Sequence, residues 1–300
     1  MIGRLFAGIP ARAARNMAVE LGSMIVFGPF VVGLVVYLEN VLRRQGASAD
    51  WLAFYKAQSA LGFVLTFGAA LLLPRTTAGL KAWAVGLYAL ARSSFLLFAV
   101  VERPELLCLV TLGFWVVELS ALPAYIRLIH GAYPASVRGR IMSLVRAGSA
   151  LGGLAITKPA GILLEQHGPR VFYPLVALCG IAAALGLLAL RVDDVAGTPE
   201  VATRTPAWAV WRRDGRYRLY LAALLCLGVG LASGEPLHAI VQVDRLHLSY
   251  DELGTLATVR QVFLFLGYAA CGWLIDRKGA AWTLRGIFLV AAVRYLYLAP

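Results

Sequence analysis

The stretch Gly272-Trp273-Leu274-Ile275-Asp276-Arg277-Lys278-Gly279, followed by Leu284, joins two long apolar segments near the end of this 300-residue chain. Its chemistry is that of a short connection at a membrane surface. Gly272 carries no side chain, so two helices can approach closely where they leave the bilayer. Asp276 is placed either at the positive N-terminal end of a following helix or beside a nearby cation. Arg277 and Lys278 hold such a connection at the cytoplasmic face. This reading requires the flanking segments to span a membrane.

Composition agrees with that requirement. Hydrophobic residues make up 60% of the chain and charged residues 15%, and mean hydropathy is +0.75. A soluble domain has roughly 45–50% apolar and about 25% charged residues. The apolar excess falls into nine blocks, at about 17–41, 51–73, 80–101, 106–129, 141–164, 171–190, 218–243, 253–275 and 283–300. Each is close to the roughly 20 residues a helix needs to cross a bilayer core. None shows the alternating polarity of membrane strands, so the segments are expected to be helices. The first block is too long for a cleavable leader.

The net charge of +12 follows topology rather than a nucleic-acid surface. Arg4, Arg12, Arg15, Arg75, Lys81, Arg138, Arg140, Arg212, Arg213, Arg216, Arg277 and Lys278 fall on one side of the predicted spans. The opposite connections hold Arg43, Arg44, Arg103, Arg170 and Arg245. By the positive-inside rule the N-terminus is cytoplasmic. Cys108, Cys179, Cys226 and Cys271 lie within apolar blocks without C-x-x-C spacing, and the four histidines are scattered. No metal site is expected.

The one long polar stretch divides the chain into a six-helix unit (1–191), a cytoplasmic linker (192–216) and a second unit (217–300). In the linker, Trp208 and Trp211 beside Arg212 and Arg213 suit a short segment at the membrane interface. A shift of 202 residues lays Arg277 on Arg75 and Arg294 on Arg92, so the eighth and ninth segments overlie the second and third.

Gly272, Leu274, Asp276, Arg277, Gly279 and Leu284 fit G-x-L-x-D-R-x-G-x-x-x-x-L, and on that pattern the chain resembles the major facilitator superfamily of secondary transporters. Tyr133-Pro134 followed by Arg138-Gly139-Arg140 is similar to the Y-P-x-x-x-R-G-R lead-in to the fifth helix of many bacterial members. The resemblance implies an all-α polytopic bundle of 6+6 architecture. It also implies a secondary transporter, not an enzyme, that moves a small solute across the bacterial inner (plasma) membrane by alternating access. No cofactor and no nucleic-acid partner follow from it. In the family the loop around Asp276 tethers helices on the cytoplasmic side and is broken as the transporter turns inward; that role carries to Gly272, Asp276, Arg277 and Gly279.

Two departures from the family pattern stand out. The first-half copy of the loop has Pro74 in place of the aspartate, and no arginine occurs in Thr111 to Ala121, where drug–proton antiporters carry one. A twelve-helix member would continue for three helices beyond Pro300, so the chain is expected to be truncated after the ninth. The alternatives are a non-transporting membrane scaffold or sensor, and a lipid-modifying membrane enzyme. The second would need clustered acidic or Ser/His/Asp groups, which the sequence does not contain.

Charges inside the spans are the candidate functional residues, because each costs about 2.5–3.5 kcal/mol at mid-bilayer. Counting about 1.5 Å per residue from the cytoplasmic ends, Arg92 lies roughly 17 Å and Glu118 roughly 18 Å up. They are expected to meet, either as a structural ion pair or as a cavity pair in which Glu118 takes a proton or Arg92 holds an anion. Glu235 (followed by Pro236) and Arg260 lie at matching depths in the seventh and eighth spans, and Arg294 has no acidic residue in its own helix. Protons are therefore a candidate partner. Glu20, Lys56, Arg146 and Lys158 lie nearer helix ends and are expected to snorkel. Substrate and direction are open.

Overall fold

The computed structural model describes residues 8–192, 212–278, 282–283, 285–286 and 288–290, without the side chains of 67, 227, 230–236, 264–265 and 268–278. Eight long helices follow in order among these residues. They are α1 (Ala11–Arg44), α2 (Ala49–Leu71), α3 (Thr77–Ala99), α4 (Pro104–Ala132), α5 (Ala135–His167), α6 (Pro169–Ala189), α7 (Gly215–Ile240, continued by Val241–Arg245) and α8 (Tyr250–Lys278). The described residues contain no strand. Five helices, α1 and α3 to α6, are long and apolar enough to cross a membrane. Most of the linker and the end of the ninth predicted span lie outside the described residues.

The helices begin before the apolar blocks, and polar residues cap several of these starts. Ser48 Oγ accepts from the Trp51 amide at the start of α2, and Thr76 Oγ1 from Gly79 at the start of α3. Asp214 accepts from the amides of Arg216 and Tyr217 at α7. Ser249 and Glu252 form a reciprocal capping box at α8. Prolines 104, 134 and 169 stand at or next to helix starts, where a missing N–H costs nothing. Gly168, at φ 71°, makes the turn between α5 and α6.

Helix α1 packs on α5 and α6, α2 on α4, α3 on α4 and α6, and α8 on α5, while α7 lies against α2 and the last turns of α1. Backbone contact sets the α1–α5 crossing. A Cβ on Gly28 would stand 2.7 Å from the Gly152 carbonyl carbon, and one on Gly152 would stand 2.6 Å from the Ile25 oxygen. Pro29 has no N–H to offer that Ile25 carbonyl, so α1 is locally open where the glycines press on it. A π turn follows at Gly33–Tyr37. The helices then enclose an aromatic core in which Phe30, Phe95, Phe98, Phe114, Phe172 and Tyr173 interlock at centroid distances of 4.4 to 5.9 Å.

The turns define two faces. One carries the α1–α2, α3–α4, α5–α6 and α7–α8 turns and is called here the Arg44 face; the other is the Arg12 face. On the Arg12 face, Arg12, Arg15, Asn16 and Lys81 bind the last carbonyls of α6 and its continuation, from Ala189 to Arg191. Cations at a helix C-terminus satisfy open carbonyls and complement the helix dipole.

Candidate functional site

Arg92 and Glu118 meet at mid-depth between α3 and α4. Arg92 donates from Nη2 to Glu118 Oε1 at 2.8 Å and from Nε to Oε2 at 3.3 Å. Its Nη1 donates to the Gly180 carbonyl of α6 at 2.9 Å. The guanidinium also stacks 4.0 Å from the Phe27 ring of α1 and 4.7 Å from the Tyr88 ring. The side chains are 5% and 12% exposed, so the two charges compensate one another away from water. Phe30 and the Arg92 Cδ also press on Gly180, where a Cβ would stand 2.8 and 3.1 Å from them. One arginine thus ties four helices, and the geometry is that of a closed ion pair rather than an open anion site.

A second buried carboxylate lies nearer the Arg12 face. Glu20 of α1 is fully buried. It accepts from the Tyr125 hydroxyl of α4 and, at 2.6 Å, from the Tyr133 hydroxyl. The expectation that Glu20 snorkels is therefore corrected: its helix face is turned inward, alongside Ala13, Asn16, Met17 and Ser23. That spacing of three and four residues was the available signal. A polar residue in register with Ala13 and Met17 belongs to the packed face. Lys56, expected at the interface, instead pairs with the buried Glu39 of α1 at 2.7 Å. Arg146 and Lys158 are exposed on α5.

The lead-in to α5 divides into three roles. Tyr133 is buried and serves Glu20. Pro134 is the N-cap of α5. Arg138 turns back to the last carbonyls of α4, at His130 and Tyr133. Around Gly139 there is open space, and Arg140 is half-buried in the early part of α5.

On the Arg44 face, a charged cluster that the sequence reading did not single out joins α1 to the later helices. Arg43 makes a forked ion pair with Asp244 at the end of α7, with Nε at 3.1 and 3.0 Å from the two oxygens. The guanidinium beside Asp244 holds its carboxyl below the usual aspartate range. Arg44 donates to the Leu248 carbonyl, lies 3.8 Å over the Tyr250 ring and stands 3.8 Å from Glu165. Glu165 in turn accepts from the Tyr250 amide at 2.7 Å. Beneath this cluster α5 and α8 cross at van der Waals contact, with Gly161 against the Tyr250 carbonyl and Gly254 against Tyr37 and Lys158. Tyr37 donates to the Thr157 carbonyl at 2.6 Å.

Of the second-half candidates, Arg260 is exposed on α8. Glu235 and Pro236 lie within α7, where the described residues do not include their side chains, and Arg294 lies outside the described residues. The Gly272–Lys278 motif continues α8 as helix, with side chains outside the description and Gly279 beyond it. Asp276, expected in the connection between the eighth and ninth segments, lies within α8.

A family model described as Major Facilitator Superfamily matches residues 82–300. The chain belongs to the major facilitator superfamily. Two solved superfamily transporters share its fold. One is a bacterial homologue of the human lysosomal transporter Spinster, in an inward-facing, unoccupied conformation. It has a TM-score of 0.63 and 17% identity, over 90% of this chain and 64% of that one. The other is the nucleoside transporter NupG, with a TM-score of 0.56 and 14% identity, over 90% of this chain and 69% of that one. The chain thus spans under two thirds of the Spinster homologue's length. No curated protein matches it. The superfamily assignment makes the protein an integral membrane protein and accords with the 6+6 reading, in which α1 to α6 form the first half and α7 and α8 open the second.

Proposed function

We propose that this protein is a secondary active transporter that moves a small solute by alternating access, coupled to protons through Glu118. The observation that carries the reading is the charged cluster of Arg43, Arg44, Glu165, Asp244 and Tyr250. It joins α1 and α5 of the first half to α7 and α8 of the second at one membrane face. Exposed ion pairs are individually weak, so such a contact can break and re-form as two halves rock about a central site.

With the N-terminus cytoplasmic, as the basic residues of the Arg12 face favour, the cluster closes the outer side. The inward-facing state of the Spinster homologue supports the same conformation here. In this reading the motif from Gly272 to Gly279 tethers the cytoplasmic side in the opposite conformation. Arg92 is already committed to Glu118, Gly180 and two rings, which favours coupling over anion binding. A proton taken by Glu118 would cancel its charge and release the guanidinium. Arg260 and Glu235, at matching depth in the second half, are the corresponding candidates there, and Arg294 extends that set.

The test is solute-driven proton movement in liposomes carrying a trapped pH dye, beginning with uridine because a nucleoside transporter shares the fold. Wild-type protein should move protons with the solute it accepts. Glu118→Gln should uncouple the two, leaving exchange of solute but at least tenfold less proton flux. Solute flux in Glu118→Gln that still moves protons at the wild-type ratio would remove Glu118 from coupling.

A further inference from the structure

We propose that Glu20 is a second proton-binding site, set toward the Arg12 face and read out by Tyr133 at the α4–α5 turn. The geometry is that of a carboxyl group enclosed by hydroxyls. Glu20 has no exposed surface, and each of its oxygens accepts from a different tyrosine, Tyr125 of α4 and Tyr133 of the α4–α5 turn. No Lys, Arg or His among the described residues stands within ion-pair distance of it. Arg146 of α5 is the cation that acts on it at longer range. Tyr88 of α3 completes the surroundings, its ring 6.2 Å from that of Tyr125. Asn16 and Ser23 share its helix face, and Asn16 is occupied by the carbonyl and amide of Arg191.

A structural carboxylate at this depth would be expected to hold an arginine, as Glu118 does. Hydroxyl partners serve either charge state. As a carboxylate, Glu20 accepts both O–H groups. On protonation, a proton from water at the α4–α5 turn joins one oxygen. The new carboxylic O–H then donates to the Tyr133 oxygen, and the Tyr133 hydroxyl proton rotates away. Both tyrosines keep their protons, and the charge of the cluster goes from −1 to 0. The Glu20–Tyr133 contact is kept with its direction reversed, and the Tyr125 hydrogen bond is unchanged. Burying an unpaired charge costs far more than burying a hydrogen-bonded neutral acid.

The site is linked to the rest of the molecule in two directions. Tyr88 carries the Arg92 guanidinium on its ring and packs on Tyr125, so the two buried carboxylates lie on one connected set of side chains. Arg146 stands on α5, the helix that crosses α8 at Gly161 and Gly254. The use of the site in transport rests on the coupled mechanism proposed above; proton binding itself does not.

Infrared difference spectra of the full chain in lipid, recorded across a pH titration, measure binding without any transported solute. The expected result is a protonating carboxyl band that is lost in Glu20→Gln, kept in Glu118→Gln and shifted in frequency in Tyr133→Phe. Persistence of every titrating band in Glu20→Gln would overturn the site. Were Glu20→Gln not to fold, Tyr133→Phe decides alone: a shifted band supports the site, and an unshifted spectrum overturns it. The band with no proton-linked flux leaves the site standing and sinks the coupled mechanism. Flux without the band does the reverse.

Discussion

Arg92 is the residue whose loss should be felt most. Arg92→Ala strands Glu118 among Phe27, Tyr88 and the Gly180 backbone, and an uncompensated buried charge of this kind costs about 3–5 kcal/mol. The thermal midpoint in detergent should fall well below that of Arg216→Ala, whose parent side chain is exposed on α7. Adding Glu118→Gln should restore part of the loss by removing the stranded charge. Equal midpoints for Arg92→Ala and Arg216→Ala would mean the pair contributes nothing to holding the helices. Arg92→Lys should not substitute, since an ammonium cannot make the two-pronged contact and reach Gly180 at once. The pair itself could be read from the chain, because two opposite charges at equal height on consecutive antiparallel helices have few other partners. Glu20 could not be read that way. Its partners are hydroxyls, and tyrosines in an apolar helix carry no mark that distinguishes donors from packing.

At the scale of elements, two predictions concern how helices touch. Gly152→Leu places a side chain where the Ile25 carbonyl and Cα already stand. Overpacking of this sort costs about 1–3 kcal/mol, so the α1–α5 crossing should loosen and the thermal midpoint drop. Gly139→Leu, in open space on the same helix, should leave it unchanged. A Gly152 variant as stable as wild type would show that the crossing is not set by glycine contact. Gly148 and Gly152, four apart on α5, allow close approach, but that spacing does not name the partner. The partner is set by where α1 presents Gly28 and the Ile25 carbonyl. The second prediction concerns α8. Asp276→Asn should lower flux several-fold at unchanged membrane abundance if the end of α8 governs the cytoplasmic side. Wild-type flux at matched abundance would argue against that role. The motif was legible in the chain, whereas its place within the helix was not, because the apolar block stops at 275 while α8 runs through Lys278.

For the molecule as a whole, the cluster on the Arg44 face should control access from that side. A lone cysteine at position 157, in a background without the four native cysteines, should react slowly with a membrane-impermeant thiol reagent. Thr157 is buried against Tyr37. Arg43→Ala combined with Arg44→Ala should speed that reaction at least threefold. No change would mean the cluster does not hold the halves. The pH dependence has a definite sign. Asp244 is held below its usual range by Arg43, so its ion pair is present in full above the unfolded aspartate value of about 3.9. It is lost only as pH falls below that value, through the lowered one. The labelling rate relative to that of the Arg43→Ala, Arg44→Ala protein at the same pH, a ratio in which the thiolate fraction cancels, should therefore be flat from about pH 5 to 8 and rise at lower pH, with salt weakening the contact throughout. A rise in that ratio centred near pH 6 to 7 would point to a different group.

Membrane-spanning helices, their order and the superfamily motif were all written in the chain. In lipid, every backbone amide must be satisfied within its own segment, so length and apolarity alone select helices and place the turns. Which helix faces meet was decided by the tertiary structure. The Arg43–Asp244 and Arg44–Glu165–Tyr250 contacts bring together residues that are locally ordinary charges at helix ends. The Glu20 site joins a position of α1, one of α4 and one of the α4–α5 turn, which no local period of the chain relates. Both depend on the angles at which helices cross, and those angles are set by glycine contacts and interlocked rings rather than by any segment alone.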